Sequence, residues 1–396
     1  MNEVALKRVC SLVTDPGPEE ERASVALEHI IGGTGRIGSD VELPRRRPAA
    51  GLAAVQPGDV LFGKLRPYLA KTLRVREPMF ASTELLALRP KSNTDARWLH
   101  YLVMSDRVVR WAVATSDGSK MPRTSWSVLG ELRTTVPDLR SQRAIADYLD
   151  AETARIDALI EKKRRLVGLL RARFQLEIDH TMDGVASSEA ALGRFVLDLS
   201  QGSSPQAAGY TAKGDEWGVL KLSAVKFGRY DPQENKAMTE EPDDLTMIPR
   251  VGDLLVTRSN TPALVGDVAA VAHTAPRRML PDLIYRVRLD KKRISAEFVA
   301  YVLLTSRSRH EISSLARGSS QSMVKLRGED IRSLPVPVVT PALQEQIVKS
   351  LERRREQTSE TLTKLNRQIE LLTEHRQALI TAAVTGQLEV AGAAVR

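Results

Sequence analysis

Apolar residues between positions 142 and 184 fall on one narrow stripe. Ile145, Leu149, Ile156, Leu159, Leu166 and Leu170 are separated by steps of three, four or seven. Between 344 and 386, Leu351, Thr358, Leu362, Leu365, Ile369, Leu372 and Leu379 obey the same rule. A stripe recurring about every 3.5 residues is narrower than the buried face of a globular helix and reads as a coiled-coil seam. The pattern predicts two long helices. Neither span has an internal proline; Asp138 and Thr340 suit the N-caps, Pro341 the first turn, and Gly184 and Gly386 the C-terminal ends. At about 1.5 Å of rise per residue, each rod would be roughly 60 Å long. An isolated amphipathic rod needs a partner for its stripe.

The obvious partner is the other span, because the two are copies. Adding 202 to each number from 142 to 184 gives a gap-free match. It has ten identities in 43 positions, among them Gln142 with Gln344, Ile145 with Ile347, Leu149 with Leu351, Gln175 with Gln377 and Gly184 with Gly386. Average composition would give about one identity in fifteen positions, so the chain reads as an internal duplication.

The segments between the rods repeat more loosely. The Pro57-Gly58-Asp59 turn and the strand starting at Val60 are echoed by Gly252-Asp253 and the strand after it. Trp98-Leu99-His100-Tyr101, with helical spacing, is echoed by Phe298-Val299-Ala300-Tyr301. Gly118-Ser119 is echoed by Gly318-Ser319, and both segments close on a proline, Pro137 and Pro337. The predicted order is a globular unit over 1–138, a central long helix over 139–184, a second unit over 185–339, a distal long helix over 340–386 and a tail over 387–396. The fold class is α+β. Antiparallel rods would place the units at opposite ends of a pseudo-twofold molecule, and a diverged pair suits two unequal half-sites on a duplex.

Charge adds a direction. The net charge is +9 and the isoelectric point about 9.6, which favours an acidic partner, nucleic acid being the commonest. The single cysteine, Cys10, can build neither a disulfide framework nor a zinc cluster. No apolar run approaches the ~20 residues of a membrane span and the start lacks a signal-peptide pattern; a cytoplasmic protein with no membrane partner is expected.

Catalytic motifs are scarce. The six histidines include no pair at metal-ligand spacing. Asp282 and Asp290-Lys291-Lys292 superficially fit a nuclease metal site, but such a site gathers acids from adjacent strands, and these flank a single predicted strand. Gly32-Gly33-Thr34-Gly35 lacks the strand–loop–helix setting of a phosphate-cradling loop and reads as a flexible turn. Binding chemistry is better represented. The loop after the first Gly-Asp strand carries Lys64, Arg66, Tyr68 and Lys71; its counterpart carries Arg258, Ser259 and Asn260. The later loops add Ser119, Lys120 and Arg123 in the first unit, and Ser319, Ser320, Gln321 and Lys325 in the second. Arginine and lysine can hold phosphates or guanine edges, and asparagine suits adenine edges. Equivalent loops with different polar side chains are what two unlike DNA-reading heads require. A metal-dependent DNA nuclease and a non-catalytic coiled-coil scaffold are the competing readings.

The chain resembles the DNA-specificity subunits of type I restriction-modification enzymes. The residues carrying the resemblance are Gly58-Asp59-Val60-Leu61-Phe62-Gly63-Lys64-Leu65-Arg66-Pro67-Tyr68, Trp217-Gly218-Val219-Leu220-Lys221-Leu222, Pro341-Ala342-Leu343-Gln344-Glu345-Gln346-Ile347 and the ending from Leu379-Ile380 to Gly386. The resemblance implies two target-recognition domains separated by an antiparallel pair of long helices. Each domain would read half of a split target. The helices would set the spacer and dock two methyltransferase subunits, which bind S-adenosylmethionine, with a motor-nuclease subunit as an optional further component. It implies no catalysis and no cofactor in this chain.

Overall fold

The structure is a computed structural model describing residues 3–17, 19–185, 188–242, 244–320 and 323–392. The chain divides into two units, Met1–Arg165 with Leu365–Arg396, and Leu166–Lys364. Each unit takes part of both long helices, Leu139–Asp183 and Pro341–Val384. Among the described residues, no helix is long and apolar enough to cross a membrane.

In the first unit, four antiparallel strands run in the spatial order Cys10–Leu12, Leu85–Pro90, Val60–Gly63, Thr72–Arg74. A second sheet joins Arg22–Val25 in parallel to Met79–Ala81, with Arg45–Arg46 and Ala53–Val55 at its edges. Glu3–Ala5 pairs with Arg133–Thr135, closing the unit just before the long helix. Two short helices, Ala96–Met104 and Asp106–Ala114, pack Trp98, Leu99 and Leu102 onto Val60 and Phe62.

The second unit has the same order in its main sheet: Val196–Gln201, Ile284–Leu289, Asp253–Thr257, Val268–Ala270. Its smaller sheet again has one parallel pairing, Gly218–Leu220 with Arg278–Met279, and Glu189–Ala191 pairs with Pro335–Pro337. Helices Ala296–Leu304 and Ser306–Leu315 pack Phe298, Val299 and Leu303 onto Leu254 and Val256. The Gly-Asp turns agree as well. Gly58 and Gly252 both have left-handed backbone, at φ +96° and +83°, a conformation that glycine adopts without a Cβ penalty.

Within each unit the two helix stretches run antiparallel. Lys163 Nζ donates to Gln368 Oε1 at 2.7 Å and Arg376 Nε lies 2.8 Å from Asp157 Oδ1 in the first unit; Arg354 lies 3.8 Å from Glu177 in the second. The helix ends belong to globular cores rather than to a simple two-helix seam. Ile145, Leu149, Ile380 and Val384 join the first core, with Leu379 packed against it, and Ile178, Ile347 and Leu351 join the second. The seam reading needs one correction. Leu159 and Leu166 are 42% and 44% exposed, and Ile160 and Val167 are buried in their place. Ile156 and Leu365 are buried, whereas Leu170, Leu362, Ile369 and Leu372 are half-buried. Helical geometry explains the shift. From Ile156 a step of four, then seven, stays on the inward face, whereas Leu159 and Leu166 lie one position short of it.

The ends follow the caps with one exception. Asp138 accepts from the Ser141 backbone N–H at 2.7 Å, and this bond holds its carboxyl below the usual range. Thr340 precedes a helix starting at Pro341. Gly386 is left-handed at φ +77°, but Gly184 is not among the positive-φ residues.

The repeated glutamines fasten helices to globular units. Gln142, which is buried, accepts from the Asp95 N–H at 2.8 Å and donates to the carbonyls of Asn93 (3.1 Å) and Pro137 (2.9 Å). Gln344, also buried, accepts from the Ser295 N–H at 2.9 Å and donates to Arg293 (2.8 Å) and Val339 (3.0 Å). At the far ends, Gln377 donates to the Met104 carbonyl at 2.7 Å, and Gln175 to that of Leu304 at 2.8 Å. Tyr101 donates to Asp150 and Tyr301 to Glu352, again at positions 202 apart on the helices.

Candidate nucleic-acid interface

The loops singled out in the first unit are built onto one another. After strand Val60–Gly63 the chain turns through Arg66 and Ala70, both with left-handed φ (+50° and +47°), an uncommon conformation outside glycine. The Arg66 N–H donates to the Pro122 carbonyl at 2.7 Å, and the Thr124 N–H to that of Lys64 at 3.0 Å. Asp117 and Arg123 exchange backbone hydrogen bonds, and Gly118 has φ +90°. Ser119 and Lys120 therefore stand exposed on a closed turn, beside a loop that exposes Arg66 and Tyr68 and half-exposes Lys64. Arg123, at the base, pairs with Glu84 at 3.1 Å. Lys71 turns inward; its ammonium donates to the Leu27 carbonyl at 2.8 Å, fixing the loop rather than facing a ligand.

The second unit joins the equivalent segments by a small sheet. Ser259–Asn260 pairs with Met323–Lys325, which pairs with Arg317–Ser320. Lys325 is exposed, and Asn260 is half-buried with its Oδ1 accepting from the Thr261 N–H at 2.9 Å. Ser259 is fully buried and cannot reach a base without a rearrangement, because strand alternation turns its side chain inward. Arg258 donates to the Tyr285 hydroxyl at 3.2 Å and lies over that ring, which makes it a brace within the head. Ser319 and Ser320 end the outer strand; Gln321 lies outside the described residues.

The acids weighed for a metal site do not converge. Asp282 precedes strand Ile284–Leu289, where it accepts from Ser204, and Asp290 follows that strand, its Oδ1 accepting from the Lys292 N–H. Lys291 is tied to the Val251 carbonyl. Among the described residues, no cluster of three or more His, Cys, Asp or Glu could hold a metal ion.

No protein-family model matches the sequence. A search of curated proteins finds the Escherichia coli type I restriction enzyme EcoEI specificity subunit, 28% identical over 168 residues, covering 41% of this chain and 27% of that relative. The match thus spans about a quarter of the relative's length. Among solved structures, a chain from a study of complex assembly and conformational transition in the type I R-M system matches at 18% identity. It has a TM-score of 0.71 and 98% of each chain covered. The HsdS subunit from Thermoanaerobacter tengcongensis matches at 18% identity and TM-score 0.47, over 98% of this chain and 97% of that one. The chain is thus similar in part of its sequence to a type I restriction specificity subunit, and it shares the fold of a chain from the type I R-M system.

The unforeseen feature is a cleft in the first unit around His100. Its Nε2 lies 3.2 Å from Thr72 Oγ1. Burial, then the guanidinium groups of Arg74, Arg376 and Arg76, push its pKa down to about 3. The signal was present as the alternation Thr72, Arg74, Arg76, which puts three polar side chains on one face of a strand and its extension. Because His100 titrates at its ordinary 6.5 when unfolded, the unfolded chain binds the extra proton between 6.5 and 3, and stability falls as pH falls through that window. Acidifying from about pH 7 to about pH 5 is expected to cost up to about 2 kcal/mol through this group. His100→Asn should flatten that part of the pH slope in a series of denaturant melts.

Proposed function

We propose that this chain selects the DNA target of a type I restriction-modification complex. In this reading each globular unit reads one half of a bipartite site in double-stranded DNA. The two long helices set the spacer and dock two methyltransferase subunits, with motor-nuclease subunits as a further component. The chain leaves the chemistry to its partners, and S-adenosylmethionine belongs to the methyltransferase.

The observation that carries the reading is the pair of like heads with unlike loops. At one topological place, the first head exposes Arg66, Tyr68, Ser119 and Lys120, and the second exposes Lys325 beside a half-buried Asn260. Cationic side chains attach to phosphates with strong salt dependence, while amide side chains discriminate bases. Docking draws support from the outer face of the first long helix. Leu159, Leu166, Leu169 and Leu176 are all exposed, the last two at 58% and 67%, and steps of seven, three and seven keep them on one face.

The test is an insertion. One turn of helix added to both long helices, at paired positions, lengthens them by about 5.4 Å, equivalent to about one or two base pairs at roughly 3.4 Å per step. Methylation mapping in cells is expected to return the same half-site letters with a longer spacer. New letters at an unchanged spacer would overturn the division of labour between heads and helices.

A further inference from the structure

The cleft beside His100 has a volume of about 650 Å³. Most of its acidic groups are engaged. Asp150 accepts from Tyr101 at 2.7 Å and from Arg97 at 3.0 Å. Asp157 accepts from Arg36 at 3.0 Å and pairs with Arg376. Arg376, almost fully buried, spends its remaining donors on the carbonyls of Gly33 and Thr34. The Gly32-Gly33-Thr34-Gly35 turn is thus pinned to the second long helix, and it offers carbonyls there rather than an amide cradle. Arg74 and Arg76 line the same cleft, and their guanidinium groups make no hydrogen bond or ion pair among the described residues. The opposing carboxylate without a partner among those residues is Glu77, so two uncommitted guanidiniums face one acid.

The second unit is an internal control. Strand pairing sets Val60 opposite Arg74 and Leu254 opposite Ala270, so Arg74-Val75-Arg76 falls on Ala270-Val271-Ala272. The cleft lined by Ala270 and Ala272 has only about 160 Å³, and its arginine, Arg355, is committed to Glu352 and to the Gly228 carbonyl. The same fold therefore closes this place without either arginine. In the first unit two cations without an ion-pair partner among the described residues line an open cleft, Arg74 half-buried and Arg76 exposed, and a planar guanidinium pair suits an oxyanion with several acceptor oxygens.

We propose that the cleft of the first unit binds a phosphate group through Arg74 and Arg76. The phosphate comes either from a free nucleotide or from the DNA backbone; the second source rests on the DNA-reading role proposed above, the first does not. The experiment uses the full chain and the double variant R74A/R76A, which copies the alanines of the second unit and so should keep the fold, as checked by thermal melting. Inorganic phosphate and ATP are titrated by calorimetry, and a duplex of random sequence by anisotropy across a salt series. A free-anion site predicts phosphate or ATP binding that the variant weakens at least tenfold with its duplex affinity unchanged. A backbone site predicts weaker duplex binding and a salt slope smaller by about two, since each phosphate contact contributes about 0.9. Equal behaviour of the variant and the unaltered chain in all three titrations overturns the proposal. If the unaltered chain fails to bind duplex, the DNA-reading role fails and the free-anion titrations alone decide the cleft.

Discussion

Replacing Gln344 by leucine is expected to lower the unfolding free energy by about 2–3 kcal/mol, and Gln142→Leu by a similar amount, because each strands three part-buried backbone groups, and an unsatisfied group costs about 1–3 kcal/mol when fully buried and less when water reaches it. Leucine nearly preserves the volume, so packing loss is small. What goes missing is a three-way bond. The Ser295 N–H loses its acceptor, and the carbonyls of Arg293 and Val339 lose their donor. The same happens at Asp95, Asn93 and Pro137 for Gln142. Those groups lie where a short helix starts, at Asp95 and Ser295, which are themselves N-caps. The loss should therefore be local. Hydrogen exchange is expected to speed up around 295–299 in Gln344→Leu and around 95–99 in Gln142→Leu, without crossing over. A change below about 0.5 kcal/mol, the usual range for surface substitutions, would mean that the glutamines are ornaments of the duplication and not its fastenings.

Removing the exposed cations of the first head, in the triple variant K64A/R66A/K120A, is expected to weaken binding to target and random duplexes in equal proportion. The loss should be about 100-fold at moderate salt, with the salt slope reduced by about three, since phosphate contacts carry no sequence information and each releases about one counterion. Asn260→Ala should behave in the opposite way. It is expected to cost about 1–3 kcal/mol of discrimination at one base pair of the second half-site and leave random-duplex binding nearly unchanged. Anisotropy titrations on the mapped target and its single-base variants separate the two outcomes. If the triple variant altered letter preference, or Asn260→Ala lowered binding to all duplexes alike, the roles assigned to these loops would have to be exchanged.

The seam shows why periodicity was legible in outline and misread in detail. Steps of three and seven from Ile156 reach Leu159 and Leu166 and look as regular as steps of four and seven to Ile160 and Val167. The duplication held the answer. An offset of 202 sets Ile160 on Leu362 and Val167 on Ile369, so the second copy names the inward face of the first. The displaced leucines lie on the exposed face of the helix. Lys71 and Ser259 were misread for a different reason. Both sit in loops whose composition is polar throughout, and only the path of the backbone turns one toward the Leu27 carbonyl and the other into the core.

By itself the sequence determined the duplication, the two long helices and their start sites. These depend on local signals: periodicity, caps, proline placement and a constant offset between copies. It also placed the loops that carry the polar chemistry, since turn residues mark where the chain must leave a strand. Tertiary structure alone decided which of those side chains are spent inside the protein. It alone turned the repeated glutamines into fastenings between helix and sheet, and it alone set Arg74 and Arg76 against His100 and Arg376. Those relations join residues tens to hundreds of positions apart, and a side chain's availability depends on the neighbours that the fold brings to it.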